Sequence, residues 1–552
     1  MEQVEQLNPF YFKFEGKVAR LFGRESVSNS IVALCEIIKN SWDADATEVK
    51  IIFENPESER GKIHITDNGS ALTLQEFENT WMVVATDDKE KHPVTKKFKR
   101  PKVGEKGIGR FATEKLAHFL KIISRPEGEK YGFNVEINWD EYEKGGYFDK
   151  IPNPVLKFMK KKKEHGFEII LTNLRERWDT TKMDSLQRTL GLLLPPLRYP
   201  SHPFKVRIFI GDSSYRVRKL KSKFPSLSVY KFKSNLNIDG SMNFRFLTRT
   251  GKSYKSNAKI ENSRCGPAEF DLYFFYRDKR GNYPENVGIK NIRNTLDRFG
   301  GLHLYRDGFK VSLAGDWAGL DKLRVNDPSN YPGHNQIIGF VKISKKNNPD
   351  IVDTTTREGI VENEPWEDLK IFIYKSIDIF VENRKRIEGR TISKKKRKST
   401  KKPEKIETEE LLAFSNSYPW VFYSPLENEI NACYSAKLFN ACLLLSRKII
   451  ENLIYNLLRV KFPKNIQLRW NTNKNRPHDF AVLVDNLIQT KHLFDQEGQT
   501  FIDKFANLCK PFRRCANSKA HNIMEYVERK EEIDNLKIPE MIQILLNIIG
   551  RT

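Results

Sequence analysis

The sequence predicts an α+β multidomain chain: a mixed α/β first part, an α+β middle and a C-terminal α-helical bundle. Three observations predict it. The 552 residues exceed what one core supports, since single cores stop growing near about 250–300 residues. Apolar spacing changes twice, from helix mixed with short β-rich runs, to mostly β-like runs past Pro203, to helical stripes beyond about residue 410. The second change coincides with a block of positive charge that resists packing. The expected division is 1–197, 198–390, a basic linker 391–410, and 411–552.

Bulk composition narrows the function classes. Apolar content of 39% and eight Trp exclude a wholly disordered chain. A formal charge of +24 favours an anionic partner such as nucleic acid, though charge alone does not choose between DNA, RNA and a membrane surface. The opening MEQVEQLNPFYFKFEG lacks a basic-then-apolar signal, and no run approaches the ~18 apolar residues of a spanning helix. A soluble, cytoplasmic protein with no membrane partner is expected. The six cysteines, at 35, 265, 433, 442, 509 and 515, show neither CxxC pairs nor zinc spacing and read as reduced core residues.

The first part is organised around Ile31–Val49, IVALCEIIKNSWDADATEV. A helical register that turns Ile31, Leu34, Cys35 and Ile38 to a core leaves Glu36 and Asn40, four apart, on another face, with Asp43 and Ala44 a turn further on. A buried Glu can orient water, and an amide oxygen is a hard ligand suited to magnesium. An ordinary amphipathic helix remains the plain alternative. Two β-rich runs follow, Glu48–Phe53 and Lys62–Thr66, the second ending in Asp67-Asn68-Gly69. A carboxylate at a strand end can accept from an exocyclic amine, although Asp-Asn-Gly is also a common turn. The lysine-rich Asp87–Lys102 then leads into Val103-Gly104-Glu105-Lys106-Gly107-Ile108-Gly109-Arg110 and FATEKLAHFLKII, read as a helix. Glycines before a helix expose N–H groups at its positive end, which suits a triphosphate. Neither a Walker A loop nor a Rossmann fingerprint is present.

In that order, EIIKNSWDADAT, ITDNGSALT and GEKGIGRFATEKLA resemble the three ATP-binding boxes of the GHKL superfamily, which includes gyrase, heat-shock chaperone, mismatch-repair, MORC and histidine-kinase ATPases. The resemblance implies an α/β sandwich with ATP and Mg2+ under a mobile lid. By it, Glu36 is the general base, Asn40 the magnesium ligand and Asp67 the adenine reader. Gly69 admits the base, Gly104, Gly107 and Gly109 wrap the phosphates, and Asp43, Ala44, Lys106, Ile108 and Arg110 complete the nucleotide contacts. The chain departs from the pattern twice: Ala71 stands where a second Gly is usual, and Gly166-Phe167 where Gly-Thr is usual.

In the middle part, GGLHLYRDGFKVSLAGDWAGLD and the stretch from Asn335 to Leu369 resemble the transducer domain that follows many GHKL modules, ending in a helix around Trp366–Val381. The resemblance implies a basic residue that reaches the terminal phosphate. Arg357 in Thr354-Thr355-Thr356-Arg357-Glu358-Gly359 fits it, because its fixed fork meets phosphate bidentately. Arg306 and Lys310 are alternatives, and Arg357 as a partner of a nearby carboxylate is the structural one.

Between Arg384 and Lys402 stand eleven Lys or Arg against one acid, a solvated connector or an arm that orders on phosphate. Lysine runs at Lys89–Lys102 and Lys157–Lys163 would extend a basic track if folding gathered them. Helical stripes follow at Leu438–Val460, Phe480–Ile488 and Met541–Ile549. Within Phe512–Asn522, positions 514, 517 and 521 share a helix face and would assemble Arg514, Asn517 and His521. This arrangement resembles the active segment of HEPN domains, metal-independent RNases that usually work as dimers; helix packing by Asn517 and His521 is the alternative. The whole reads as an ATP-hydrolysing, ATP-gated homodimeric clamp on nucleic acid that controls an HEPN-like RNase, in a setting of antiphage defence. The other reading makes the bundle a non-catalytic interaction module, as in MORC-like or chaperone-like clamps.

Overall fold

The computed structural model describes residues 11–550 except 87, 105–106, 108, 195–203, 216, 218, 261–262, 312, 314, 327–329, 355–358, 390–408, 415–417, 419–422, 472–475 and 522–526. Within helices it leaves aside the side chains of 88, 90, 322, 325–326, 424–425 and 517–521. The expected linker 391–410 therefore lies almost wholly outside the described residues.

Helix α1, Ser30–Asp43, starts where the side chain of Asn29 accepts from the N–H groups of Ile31 and Val32, both at 3.0 Å. Its Ala33, Leu34, Ile37, Ile38 and Trp42 are buried in one core with Val49, Ile51 and Phe53 of strand β1 (Glu48–Glu54) and Ile63 and Ile65 of β2 (Lys62–Asp67). Strands β3 (Ala117–Arg125), β4 (Tyr131–Asn138), β5 (Val155–Met159), β6 (Gly166–Leu174), β7 (Lys205–Ile210) and β8 (Ser213–Tyr215) complete an eight-stranded sheet. Its order is β5-β4-β3-β6-β2-β1-β7-β8, and α2 (Thr180–Gly191) buries Met183, Leu186 and Leu190 in the same core.

Two expectations are corrected here. Phe111–Ile123 is not one helix: it is helical only over Ala112–Leu116 and then runs as β3, hydrogen-bonded to β4 and β6. Burial alternates at Leu120, Ile122 and Ser124, and two adjacent β-branched residues, Ile122 and Ile123, favour the central strand over a helix. The strands β7 and β8, placed by sequence in the middle part, belong to the first sheet, where β7 runs parallel to β1. An alternating run such as KVRIFI carries no mark of which sheet it will join.

Strands β9 (Tyr230–Leu236), β10 (Ser241–Thr248), β11 (Ser253–Lys259), β12 (Ala268–Phe274), β13 (Gly301–Arg306), β14 (Phe309–Lys310) and β15 (Ile337–Ile343) form a second sheet, in the order β11-β10-β9-β12-β15-β13-β14. Helix α3, Ile289–Phe299, packs Ile292, Leu296 and Phe299 with Tyr273, Phe340 and Ile338 on one face. Helix α4, Glu364–Ile387, lays Leu369, Phe372, Ile377 and Phe380 on the other, against Phe232, Phe246, Phe270 and Phe274. Phe309 leaves the second sheet to enter the first core, 5.1 Å from the Trp42 ring and 6.3 Å from that of Phe204.

The C-terminal part is helical: α5 (Tyr423–Ser435), α6 (Phe439–Lys461), α7 (Phe480–Gln489), α8 (Gln496–His521) and α9 (Ile538–Ile549) share one apolar core. Buried ions fasten it to α4. Arg469 donates from Nε to Glu364 Oε1 at 2.7 Å and from Nη2 to Oε2 at 3.2 Å, and the Tyr455 hydroxyl donates to Glu364 Oε1 at 2.8 Å. Arg459 pairs with Asp368, and Arg264 reaches Glu364 Oε2 at 3.1 Å. Glu364, Asp368 and Arg469 are 2%, 0% and 1% exposed, so removing one partner leaves a buried charge with fewer groups to answer it.

Candidate active site

The C-terminal half of α1, the end of β2 and the start of the glycine loop converge. Asp67 closes β2 and is half-buried; its Oδ2 accepts from the Ser41 hydroxyl at 2.7 Å and its Oδ1 from the Gly69 N–H at 2.9 Å. Burial pushes its carboxyl above the usual range, with those two hydrogen bonds and the Phe167 N–H opposing. A Cβ on Gly69 would stand 2.6 Å from the Ala44 carbonyl oxygen and 3.0 Å from Asp67 Oδ1, so only glycine lets the turn close on the end of α1. Ala71 has φ +44°, a left-handed backbone that glycine adopts without strain, which accounts physically for the glycine usual at that place. Phe167 turns its ring into the first core, and the hydroxyl beside Asp67 comes instead from Ser41.

Asp43, the last residue of α1, ties the loop down. Its Oδ1 accepts from the Val103 N–H at 2.9 Å and its Oδ2 from the Gly104 N–H at 3.2 Å. Lys89, from the lysine-rich stretch, brings its ammonium to 2.7 Å from Asp43 Oδ2 and 3.3 Å from Asn40 Oδ1. It passes where a Gly104 side chain would start, 2.1 Å from the ideal Cβ. A cation thus already rests between a carboxamide and a carboxylate oxygen, the hard donor set that a magnesium ion takes. Glu36 stands one turn earlier, 12% exposed, and accepts from Lys39 Nζ at 2.7 Å. Burial opposes the charge on Lys39, yet Glu36, helped by Asp353, holds its ammonium above the usual range.

Gly107 takes φ +62° against Ala85 and Thr86, where a Cβ would fall 2.9 Å from the Thr86 nitrogen. Gly109 opens a single turn, Gly109–Phe111. Arg110 turns away to bind the carbonyls of Thr80 at 2.8 Å and Val83 at 3.0 Å; burial lowers its guanidinium to about 10. Lys106, Ile108 and Arg357 lie outside the described residues. Of the alternatives to Arg357, Arg306 is buried on Ile351 O and Asp353, at 2.8 Å each. Lys310 is half-buried, where desolvation lowers its ammonium, and it neighbours the Cys35 thiol on α1. On α8, Arg514 is exposed, and the side chains of Asn517 and His521 lie outside the described residues.

Residues 27–164 match the family described as histidine kinase-, DNA gyrase B-, and HSP90-like ATPase. This segment is a GHKL-like ATPase domain. It takes in Glu36, Asn40, Asp43, Asp67 and the glycine loop, about a quarter of the chain. A curated protein of Herpetosiphon aurantiacus, "Putative type II restriction enzyme HgiDII", is 30% identical over 108 residues, 20% of this chain and 17% of its own length. A solved structure, "Crystal Structure of N terminal domain of a DNA repair protein", has 12% identity and a TM-score of 0.39, covering 67% of this chain and 98% of its own. Among the described residues no helix is long and apolar enough to cross a membrane, and no cluster of three His, Cys, Asp or Glu forms a metal site.

The reading of the sequence passed over Ser41 and Lys89. Ser41 carried a signal: in the register that buries Leu34 and Ile38 it falls on the buried side, and a buried hydroxyl needs a partner. Lys89, one of a run of lysines and 46 residues from Asp43, carried none.

Proposed function

We propose that the chain is an ATP hydrolase whose GHKL-like domain works as an ATP-gated clamp, two copies of which close on nucleic acid and control the C-terminal helical region. The observation that carries this reading is the cation held between Asn40 and Asp43 at the root of the glycine loop, with Asp67 at the floor. In this reading Asp67 accepts from the adenine amine, and Gly69, Asp43 and Ala44 shape the wall beside the base. Asn40 offers its amide oxygen to Mg2+ in the place Lys89 now takes, and magnesium when bound neutralises phosphate charge. Gly104, Gly107 and Gly109 turn N–H groups to the phosphates, with Lys106, Ile108 and Arg110 in the same loop. Glu36 releases Lys39 and orients the attacking water. Arg357, which falls between β15 and α4 in the sequence, reads the terminal phosphate.

Asp67→Asn tests the floor of this pocket. ATP affinity is expected to fall about 10- to 100-fold, the worth of a hydrogen bond to a charged group. Titration of a fluorescent ATP analogue checks it, and an unchanged dissociation constant would remove Asp67 from adenine binding.

For the helical region we propose an HEPN-like RNase built on Arg514, Asn517 and His521, acting in antiphage defence. The restriction-enzyme description of the Herpetosiphon protein supports nucleic acid as the partner. The second reading, a non-catalytic interaction module, draws on the buried ionic lock, which suits a lever as well as an enzyme. With ATP present, the wild-type chain is expected to degrade RNA and the His521→Ala variant to fail to; equal degradation by both would favour the module.

A further inference from the structure

The second sheet carries an unusual grid on the face of β9, β10 and β11 that α3 does not reach. Side chains alternate along each strand: Phe232, Ser234, Met242, Phe246, Tyr254 and Ala258 face the core, so their neighbours face out. In register across the three strands stand Lys233, Arg245 and Lys255, each directly opposite the next, and all exposed. The adjacent row is Asn235, Asn243 and Asn257, again directly opposite one another and exposed.

Like charges facing across a strand pair destabilise a sheet. Here two such pairs are stacked side by side, and the countercharge in the row is Asp271, 3.4 Å from Lys233 at its inner end. Arg245 bonds the Ser253 hydroxyl, while Lys255 has no ion partner among the described residues. The three asparagine amides likewise have no side-chain hydrogen bond among the described residues. The arrangement spends sheet stability and leaves donors pointing at solvent in two parallel rows.

We propose that this face is where the chain holds nucleic acid, and that it grips the phosphodiester backbone of a duplex. The inference rests on the nucleic-acid reading above and names its surface. Three cations at strand spacing span about 10 Å. A duplex carries one charge per about 1.7 Å of axis, so the row meets several phosphates at once. The asparagine row supplies amide donors for neighbouring phosphate and sugar oxygens. The outward residues of these strands include no aromatic, so the face offers unstacked bases nothing to lie on, and a backbone with its bases turned inward is the ligand it fits. The lysines of the first sheet are arranged otherwise. Lys157 rests on the Tyr131 ring at 4.1 Å, and Lys160 is spent on the carbonyls of Glu129 and Glu164.

The test is fluorescence anisotropy of a labelled 24-base-pair duplex with the full chain from about 50 to 200 mM salt. It compares wild type, the triple variant Lys233→Gln, Arg245→Gln, Lys255→Gln, and a control triple variant Lys161→Gln, Lys162→Gln, Lys163→Gln. The sheet variant is expected to bind at least 10-fold more weakly, with its log-log salt slope reduced by roughly 2 to 3, about 0.9 per lost phosphate contact. The control should keep the wild-type slope, and an unlabelled single strand of equal length should compete less well than duplex. Unaltered melting temperature and ATPase rate show that the sheet variant is folded; if it is not, Lys255→Gln alone, on the outermost strand, should still lower the slope by roughly 1. Wild-type affinity and slope in the sheet variant would overturn this surface while leaving the nucleic-acid reading intact, as would loss of slope in the control alone or preference for the single strand. Failure of the wild type to bind any nucleic acid would remove both.

Discussion

Glu36→Ala is expected to hold ATP and lose turnover by about 10²- to 10⁴-fold, the range that a positioned general base supplies. The geometry makes the separation of binding from chemistry sharp. Asn40 and Asp43, which would meet the cation and the loop, lie a full turn nearer the end of α1 and do not lean on Glu36. What Glu36 does hold is Lys39, at 2.7 Å, and removing the carboxylate leaves that ammonium to burial, which lowers its affinity for the proton. Glu36→Gln keeps the shape and a weaker hydrogen bond, so it should behave like Glu36→Ala in phosphate release and like wild type in nucleotide titration. Parallel loss of affinity and rate in both variants would make the carboxylate a structural partner of Lys39.

Arg469→Ala is expected to lower the stability of the helical region by about 3–5 kcal/mol, because it leaves Glu364 charged and buried with fewer donors. Calorimetry of the full chain reads this as a downward shift of the transition assigned to the helices. Arg469→Ala combined with Glu364→Gln should recover part of the loss, since the stranded charge is then gone. No recovery would place the cost in lost packing around the arginine stem, which also donates to the Phe462 carbonyl at 3.0 Å. The coupling has a second readout. Asp353 influences Lys39, and Glu364, eleven residues further along the chain, is bonded into the helical region, so the double variant should also alter any ATP dependence of the C-terminal activity.

Local chemistry was legible in the sequence, and distant pairing was not. The four-residue spacing of Glu36 and Asn40 and the Asp67–Gly69 turn could be read because each lies on one helix or within three residues, whereas what holds the glycine loop, Asp43 some 60 residues back, could not. Ala71 could be recognised as a departure, and its left-handed backbone supplies the reason. Phe111–Ile123 misled because an apolar run with good helix formers at its start looks alike in either conformation until flanking strands are known. Nothing local in the sequence pairs Arg469 with Glu364, 105 residues away. The rows of Lys233, Arg245 and Lys255 exist only once the register of three strands is fixed.

Phe309 sets a practical boundary on how the chain can be divided. Its ring closes the apolar hollow behind the end of α1, against Trp42 and Phe204, although it belongs to the second sheet. A recombinant fragment that stops at the last strand of the first sheet would expose one indole and one phenyl surface, those of Trp42 and Phe204, to water and invite aggregation. Expression of the nucleotide-binding half in a well-behaved form should therefore require carrying the chain past Lys310, and nucleotide assays on anything shorter would report on a damaged pocket.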